Sequence, residues 1–195
     1  MDLSKLSEPL KVEQIEFRIQ SINKAGNATI LAYKDARCDM QRLDEVCTPL
    51  NWMREHSRDN QNCTVSIFDA TTNRWVGKED TGTASNAEAQ KGLASDSFKR
   101  ACFNWGIGRE LYDYPLIQIW LKGDGGFKQG DKLSEWALEN GKAKSTWNLK
   151  LKEWLWYSEF TNGKITYLSA VSPIGKKYEN RFNWGTKKQG ENNGN

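Results

Sequence analysis

Apolar positions along this chain change period several times, and each change marks an element. From Gln14 to Ile22 they alternate, with Ile15, Phe17 and Ile19 on one side and Glu16, Arg18 and Gln20 on the other, as in a half-buried strand. Lys24-Ala25-Gly26-Asn27 is turn chemistry and Ala28–Lys34 returns as a second strand, so the pair predicts a β-hairpin. The period then lengthens. Asp35 is placed to cap a helix that carries Met40, Leu43 and Cys47 on one face and closes at Pro49. Three short runs follow, Asn51–Arg58, Cys63–Asp69 and Arg74–Glu79, with polar turns between them; they predict an antiparallel meander. Ser85-x-x-Glu88 is a capping box, and Ala94, Phe98, Ala101, Cys102 and Trp105 have the spacing of a helix lying on a sheet, with Gly106 as its stop.

Past Pro115 the pattern weakens. Leu133–Glu139 reads as a short helix, and Trp147–Phe160 with Lys164–Val171 as a hairpin closed by Asn162-Gly163. From Ser172 the chain turns polar and glycine-rich, which predicts a disordered basic tail. The expected fold class is therefore α+β: an N-terminal β-hairpin and helix, a three-stranded antiparallel meander packed on a long helix (a β-β-β-α core), a C-terminal β-hairpin region and the tail. In domain terms, residues 1–171 form one domain with its core at 12–115 and a less regular part at 116–171, and 172–195 are the tail.

The mean hydropathy is −0.77, yet nine Trp, six Tyr and seven Phe supply enough large rings for a core. Net charge is +3. Residues 172–195 hold five cations and two anions and so account for all of it, which means that any basic surface on the folded part is local. Four cysteines lack C-x-x-C spacing and His56 is the one histidine, so zinc-ligand spacing is absent and buried free thiols of a reducing compartment are expected. No leader-like start and no apolar run of membrane length is present, and a soluble cytoplasmic protein is the expectation.

Motifs for bond-breaking chemistry are missing. Gly163-Lys164 is followed by Ile165 and lacks the upstream glycine of a Walker A loop; Gly106-x-Gly108 follows a helix and lacks a third glycine. His56, the one candidate base, lies on an alternating polar strand and reads as solvent-facing. No Asp-x-Lys or Glu-x-Lys occurs, and Asp69, Glu79 and Asp80 read as turn and strand-end carboxylates. The pattern favours a binding protein that needs no catalytic residue, cofactor or metal.

The basic residues are more telling. Lys99 and Arg100 are helix neighbours, about 100° apart around the axis, with Lys99 near the edge of the buried stripe, Arg100 opposite, and Lys91 two turns before Lys99. Arg37 stands in a first helical turn, where a cation opposes the dipole. An anionic ligand would justify it there, and so would Asp35 and Asp39 flanking it. Arg54, His56 and Arg58 share a strand face, either solvated or lining a second site. Trp147, Trp154, Trp156, Tyr157 and Phe160 could stack on bases, although burial in a core is the simpler reading.

Together, Tyr33-Lys-Asp-Ala-Arg37 entering a helix, Trp52 opening a strand, Glu79-Asp80-x-Gly82, Ser85, and Ser95-Asp96-x-x-Lys99-Arg100-Ala101 followed by Trp105-Gly106 resemble one family. It is that of the single-strand annealing proteins related to the recombination mediator Rad52, phage members of the Sak type included. The likeness covers Val12 to Pro115. It implies ATP-independent binding of single-stranded DNA and annealing of complementary strands in recombination and repair. The DNA would lie in an outer positive groove of a homo-oligomeric ring or helical filament. By position it implies that Arg37, Lys99 and Arg100 contact phosphates, with Lys91 and Lys34 beside them, and that the first hairpin forms the groove's lip. A phage-encoded member would act in the cytoplasm of a bacterial host, with a host single-strand-binding protein or a phage exonuclease as partner. Two departures stand out: no long C-terminal recruiting region follows, and 116–171 match only loosely. The alternatives are a metal-dependent nuclease built on Asp69, Glu79 and Asp80, and an adaptor whose basic tail touches nucleic acid.

Overall fold

In a computed structural model, which describes residues 1–83, 89–123, 134–174 and 177–187, turn chemistry places most of the strands. Strands β1 (Ile15–Ile22) and β2 (Asn27–Lys34) form the first hairpin, its turn carried by Gly26 at φ +83°. An added Cβ on Gly26 would lie 2.5–2.7 Å from the Trp136 ring, so both the conformation and the space demand glycine. Next come α1 (Ala36–Cys47), β3 (Trp52–His56), β4 (Asn62–Asp69), β5 (Arg74–Thr81) and α2 (Ala89–Asn104). Strands β6 (Ile117–Trp120), β7 (Trp136–Glu139), β8 (Lys142–Ser145), β9 (Leu155–Thr161), β10 (Lys164–Ile174) and β11 (Lys177–Gly185) complete the order. The chain is thus a mixture of mostly antiparallel strands with two α-helices.

The described residues fall into two compact units. One comprises Met1–Ile15 and Lys34–Tyr112. There Asp35 caps α1 by accepting the Arg37 backbone N–H at 2.7 Å, and the helix ends at Thr48, φ +65°. The meander β3-β4-β5 turns Cys63, Val65 and Ile67 of β4 inward, where they are buried with Phe98, Ala101 and Cys102 of α2 and Leu43 and Cys47 of α1. Of these, Leu43, Val65, Ile67 and Phe98 each contribute about 1.5–3 kcal/mol by leaving water. Gly106, φ +99°, stops α2 as the pattern predicts, with Ile107 N–H returning to the Cys102 carbonyl at 3.1 Å. The Ser85-x-x-Glu88 capping box lies outside the described residues.

The other unit comprises Glu16–Tyr33 and the described residues from Asp113 on. Sheets β1-β2-β6, β9-β10-β11 and β7-β8 surround Ile30, Ile117, Ile119, Trp136, Leu168 and Ala170. Trp154, Trp156 and Phe160 are buried or half-buried against this core, the Trp156 ring stacked on Phe17 at 3.6 Å, whereas Trp147 and Tyr157 are exposed. Three expectations are corrected here. Residues Trp136–Glu139 of the expected helix are strand β7, because Asn140-Gly141, both at positive φ, closes a tight hairpin onto β8. The first part of the expected strand Trp147–Phe160 is a 3-10 turn at Leu151–Glu153, and β9 begins only at Leu155. The described part of the expected disordered tail is largely strand: β10 continues to Ile174 and β11 pairs with it, anchored by half-buried Phe182 and by Arg181, whose guanidinium lies 2.7 Å from Glu135.

Candidate nucleic-acid interface

The N-terminus of α1 and the middle of α2 bring cations together in the first unit. Arg37 reaches back to its own capping residue, its Nε and Nη2 donating to the Asp35 carboxylate at 3.2 and 3.0 Å. Its side chain is still 83% exposed. The hydrogen bonds from Arg37, side chain first and backbone second, hold the Asp35 carboxyl below the usual carboxylate range, and the charge of Lys99 lowers it further. Lys99 is therefore close to the start of α1. It is half-buried and has no hydrogen bond or ion pair among the described residues. Arg37 pairs directly with the Asp35 carboxylate and the charge of Lys99 acts on the same group, so an incoming phosphate would compete with a weak, solvent-exposed pair.

Arg100 turns elsewhere, as one helical step requires. Its Nε donates to Asp80 of β5 at 3.1 Å, and Asn104 donates to the same carboxylate at 3.3 Å. The Lys91 side chain lies outside the described residues. Lys34 is a correction. It is 2% exposed; its ammonium is ion-paired with buried Asp39, donates to the Ile107 carbonyl at 2.6 Å and sits 4.0 Å from the Phe103 ring centroid. A lysine spent in this way has no face left for a ligand. The alternation that ends β2 puts it inside, since Ala28, Ile30 and Lys34 share the even positions of that strand.

Several other cations belong to the fold. Lys78 and Arg109 donate to the Asn104 and Phe103 carbonyls at 2.7 Å each, satisfying the free C-terminal carbonyls of α2 and offsetting its dipole. Arg54 lies over Phe98, 4.8 Å from the ring centroid. His56 is half-buried rather than solvent-facing, its Nδ1 3.5 Å from Ser97 Oγ, and burial lowers its pKa. Both follow from their period-two link to Trp52, which packs on the core. Arg58 lies beyond the strand in a turn.

The three carboxylates of the nuclease alternative do not converge. Asp69 binds Thr71 and Thr72 in the β4–β5 turn, Glu79 binds Asn62 and Thr64, and Asp80, its strand neighbour, points to the opposite face toward Arg100. Among the described residues no group of three His, Cys, Asp or Glu side chains is close enough to hold a metal ion. All four cysteines are free and buried; burial pushes the Cys38 and Cys63 thiols up to about 11 and Cys102 well above its ordinary value. Among the described residues no helix is long and apolar enough to cross a membrane.

Comparison with known proteins bears on this cluster. The single-stranded DNA-binding protein DdrA of Deinococcus radiodurans is 33% identical over 137 residues, 68% of this chain and 65% of that protein. DdrA of Deinococcus deserti is 31% identical over 137 residues, 68% of each chain. The chain thus spans slightly under two thirds of the length of the first of these relatives. No solved structure matches it. The family model described as the Rad52/22 family double-strand break repair protein matches residues 3–122, a stretch that holds α1, the meander, α2 and both Arg37 and Lys99. With more than half its length matched in this way, the chain belongs to the Rad52/22 family.

Proposed function

We propose that this protein binds single-stranded DNA and anneals complementary strands in recombination and repair, without ATP and without breaking bonds. The observation that carries this reading is exposed Arg37 on Asp35, with half-buried Lys99 acting on the same carboxylate through its charge, within the stretch matched to the Rad52/22 family. The relatives named as single-stranded DNA-binding proteins support the substrate class. Arg37 and Lys99 make the phosphate contacts. Arg100 joins them when an anion draws it from Asp80, and Lys91 extends the track along α2. Lys34 is left out.

A subunit with so few contacts binds weakly, so the reading includes a homo-oligomer, ring or helical, in which repeated sites act at high effective concentration. The meander supports this: among the described residues β3 and β5 are both edge strands, and β5 is exposed along nearly its whole length. The test is strand annealing by the double variant Arg37→Ala/Lys99→Ala, with light scattering for assembly. Annealing lost from an intact oligomer is the expected result; wild-type annealing by the double variant overturns the site.

A further inference from the structure

The second unit holds a groove that the Arg37 and Lys99 site does not use. It encloses about 490 Å³ between β1 and the segment that follows β8. Half-buried Phe17, Ile19, Leu149 and Leu151 form its floor, while Arg18, Lys150 and Lys152 are exposed along its rim. One anion faces them, Glu153, 3.3 Å from Lys150. Strand β1 is the end of the β1-β2-β6 sheet, with a strand neighbour on one side only among the described residues. Consecutive side chains of a strand point to opposite faces, so a groove touching Phe17, Arg18 and Ile19 alike runs along the strand's edge.

An open strand edge, an aliphatic floor and a cationic rim together describe one kind of guest. We propose that the groove receives an acidic peptide segment of a partner protein, laid along β1 as an added strand. Its main chain pairs with the edge, alternate apolar side chains enter the floor, and its carboxylates meet Arg18, Lys150 and Lys152. A nucleic acid strand fits less well. Base stacking needs a free aromatic face, and the one ring in the groove, Phe17, is already covered by Trp156 at 3.6 Å with 3° between planes. Exposed Trp147 is not among the residues lining the groove.

The test is fluorescence anisotropy on the full chain with a short labelled peptide in which Asp and Leu alternate. Lys150→Glu with Lys152→Glu changes two exposed side chains and should weaken this peptide about tenfold or more, with binding of a dT oligonucleotide unchanged. N-methylation of alternate peptide amides alters no protein residue and should also abolish binding. The proposal is overturned if the wild-type chain ignores the Asp-Leu peptide, or if the methylated peptide or the double variant binds as well as the parent pair. It falls equally if the double variant loses the dT oligonucleotide but keeps the peptide, which makes the groove a nucleic-acid contact. A drop in oligomer mass would assign the β1 edge to a second copy of this chain. None of these outcomes touches the Arg37 and Lys99 site, so the two readings fail separately.

Discussion

Lys34→Met separates a structural from a DNA-binding role for the lysine at the head of the Tyr33-Lys-Asp-Ala-Arg37 motif. The variant keeps the stem packed beside Gly108, where an added Cβ would already lie 2.8 Å from Lys34 Cδ, and removes only the charge. Asp39, 0% exposed, then loses the cation it is paired with. Orphaning one member of a buried pair costs about 3–5 kcal/mol. For a unit of this size each kcal/mol moves Tm by roughly 4–8 °C, so Tm should fall by about 12 °C or more.

The pH response has a definite sign. Burial pushes the Asp39 carboxyl up to about 6, with Lys34 opposing the rise. A carboxyl whose folded pKa exceeds its unfolded value favours folding at low pH and loses that contribution as pH rises toward the folded pKa. Without Lys34 the folded pKa rises further, so the Tm gap between variant and wild type should narrow as pH drops from neutral to 5. The double variant Lys34→Met/Asp39→Leu, which buries no charge, should recover most of the loss. Calorimetry gives Tm, and anisotropy well below Tm gives single-strand affinity, which should match wild type. A Lys34→Met protein that melts like wild type yet binds single strands poorly refutes the interior role.

Lys99→Ala should flatten the log–log salt dependence of single-strand binding by about 0.7, as should Arg37→Ala; a titration series in salt checks both, and an unchanged slope removes that residue from the site. Gly26→Ala should cost about 1–3 kcal/mol from overpacking against Trp136, on top of the strain of φ +83°, and a urea midpoint equal to wild type would show that the turn relaxes freely. The native thiols should react slowly with a disulfide reagent at pH 8 and all four should react in denaturant, since burial raises each of them; a fast native phase would place one cysteine at the surface.

Local chemistry made much of this chain readable in advance. Hairpin β1-β2, capped α1, the meander and the stop of α2 all rest on interactions within a few residues: alternation, the Asp35 cap, and glycine at positive φ. Composition and pattern disagree near the C-terminal end, and there pattern is the better guide. Tyr178, Asn180, Phe182 and Trp184 alternate with their neighbours, yet the lysines, asparagines and glycines around them spoke for disorder. Asn140-Gly141 carries the same turn signal as Asn162-Gly163 and marks β7-β8 by the same rule.

Short-range forces are written in the order of residues, and so are the motifs that point to a Rad52-like protein, with Arg37 and the Lys99-Arg100 pair among them. Which charges are available is settled by long-range packing. Lys34, Arg42 and Arg181 look as ready for a ligand as Lys99 does in a string of letters, but each is consumed by an acceptor far along the chain: the Ile107 carbonyl, the Lys5 and Glu8 carbonyls, and Glu135. Whether a cation faces water or an internal acceptor depends on which distant groups the packing brings to it, because a buried charge persists only where partners replace its lost hydration.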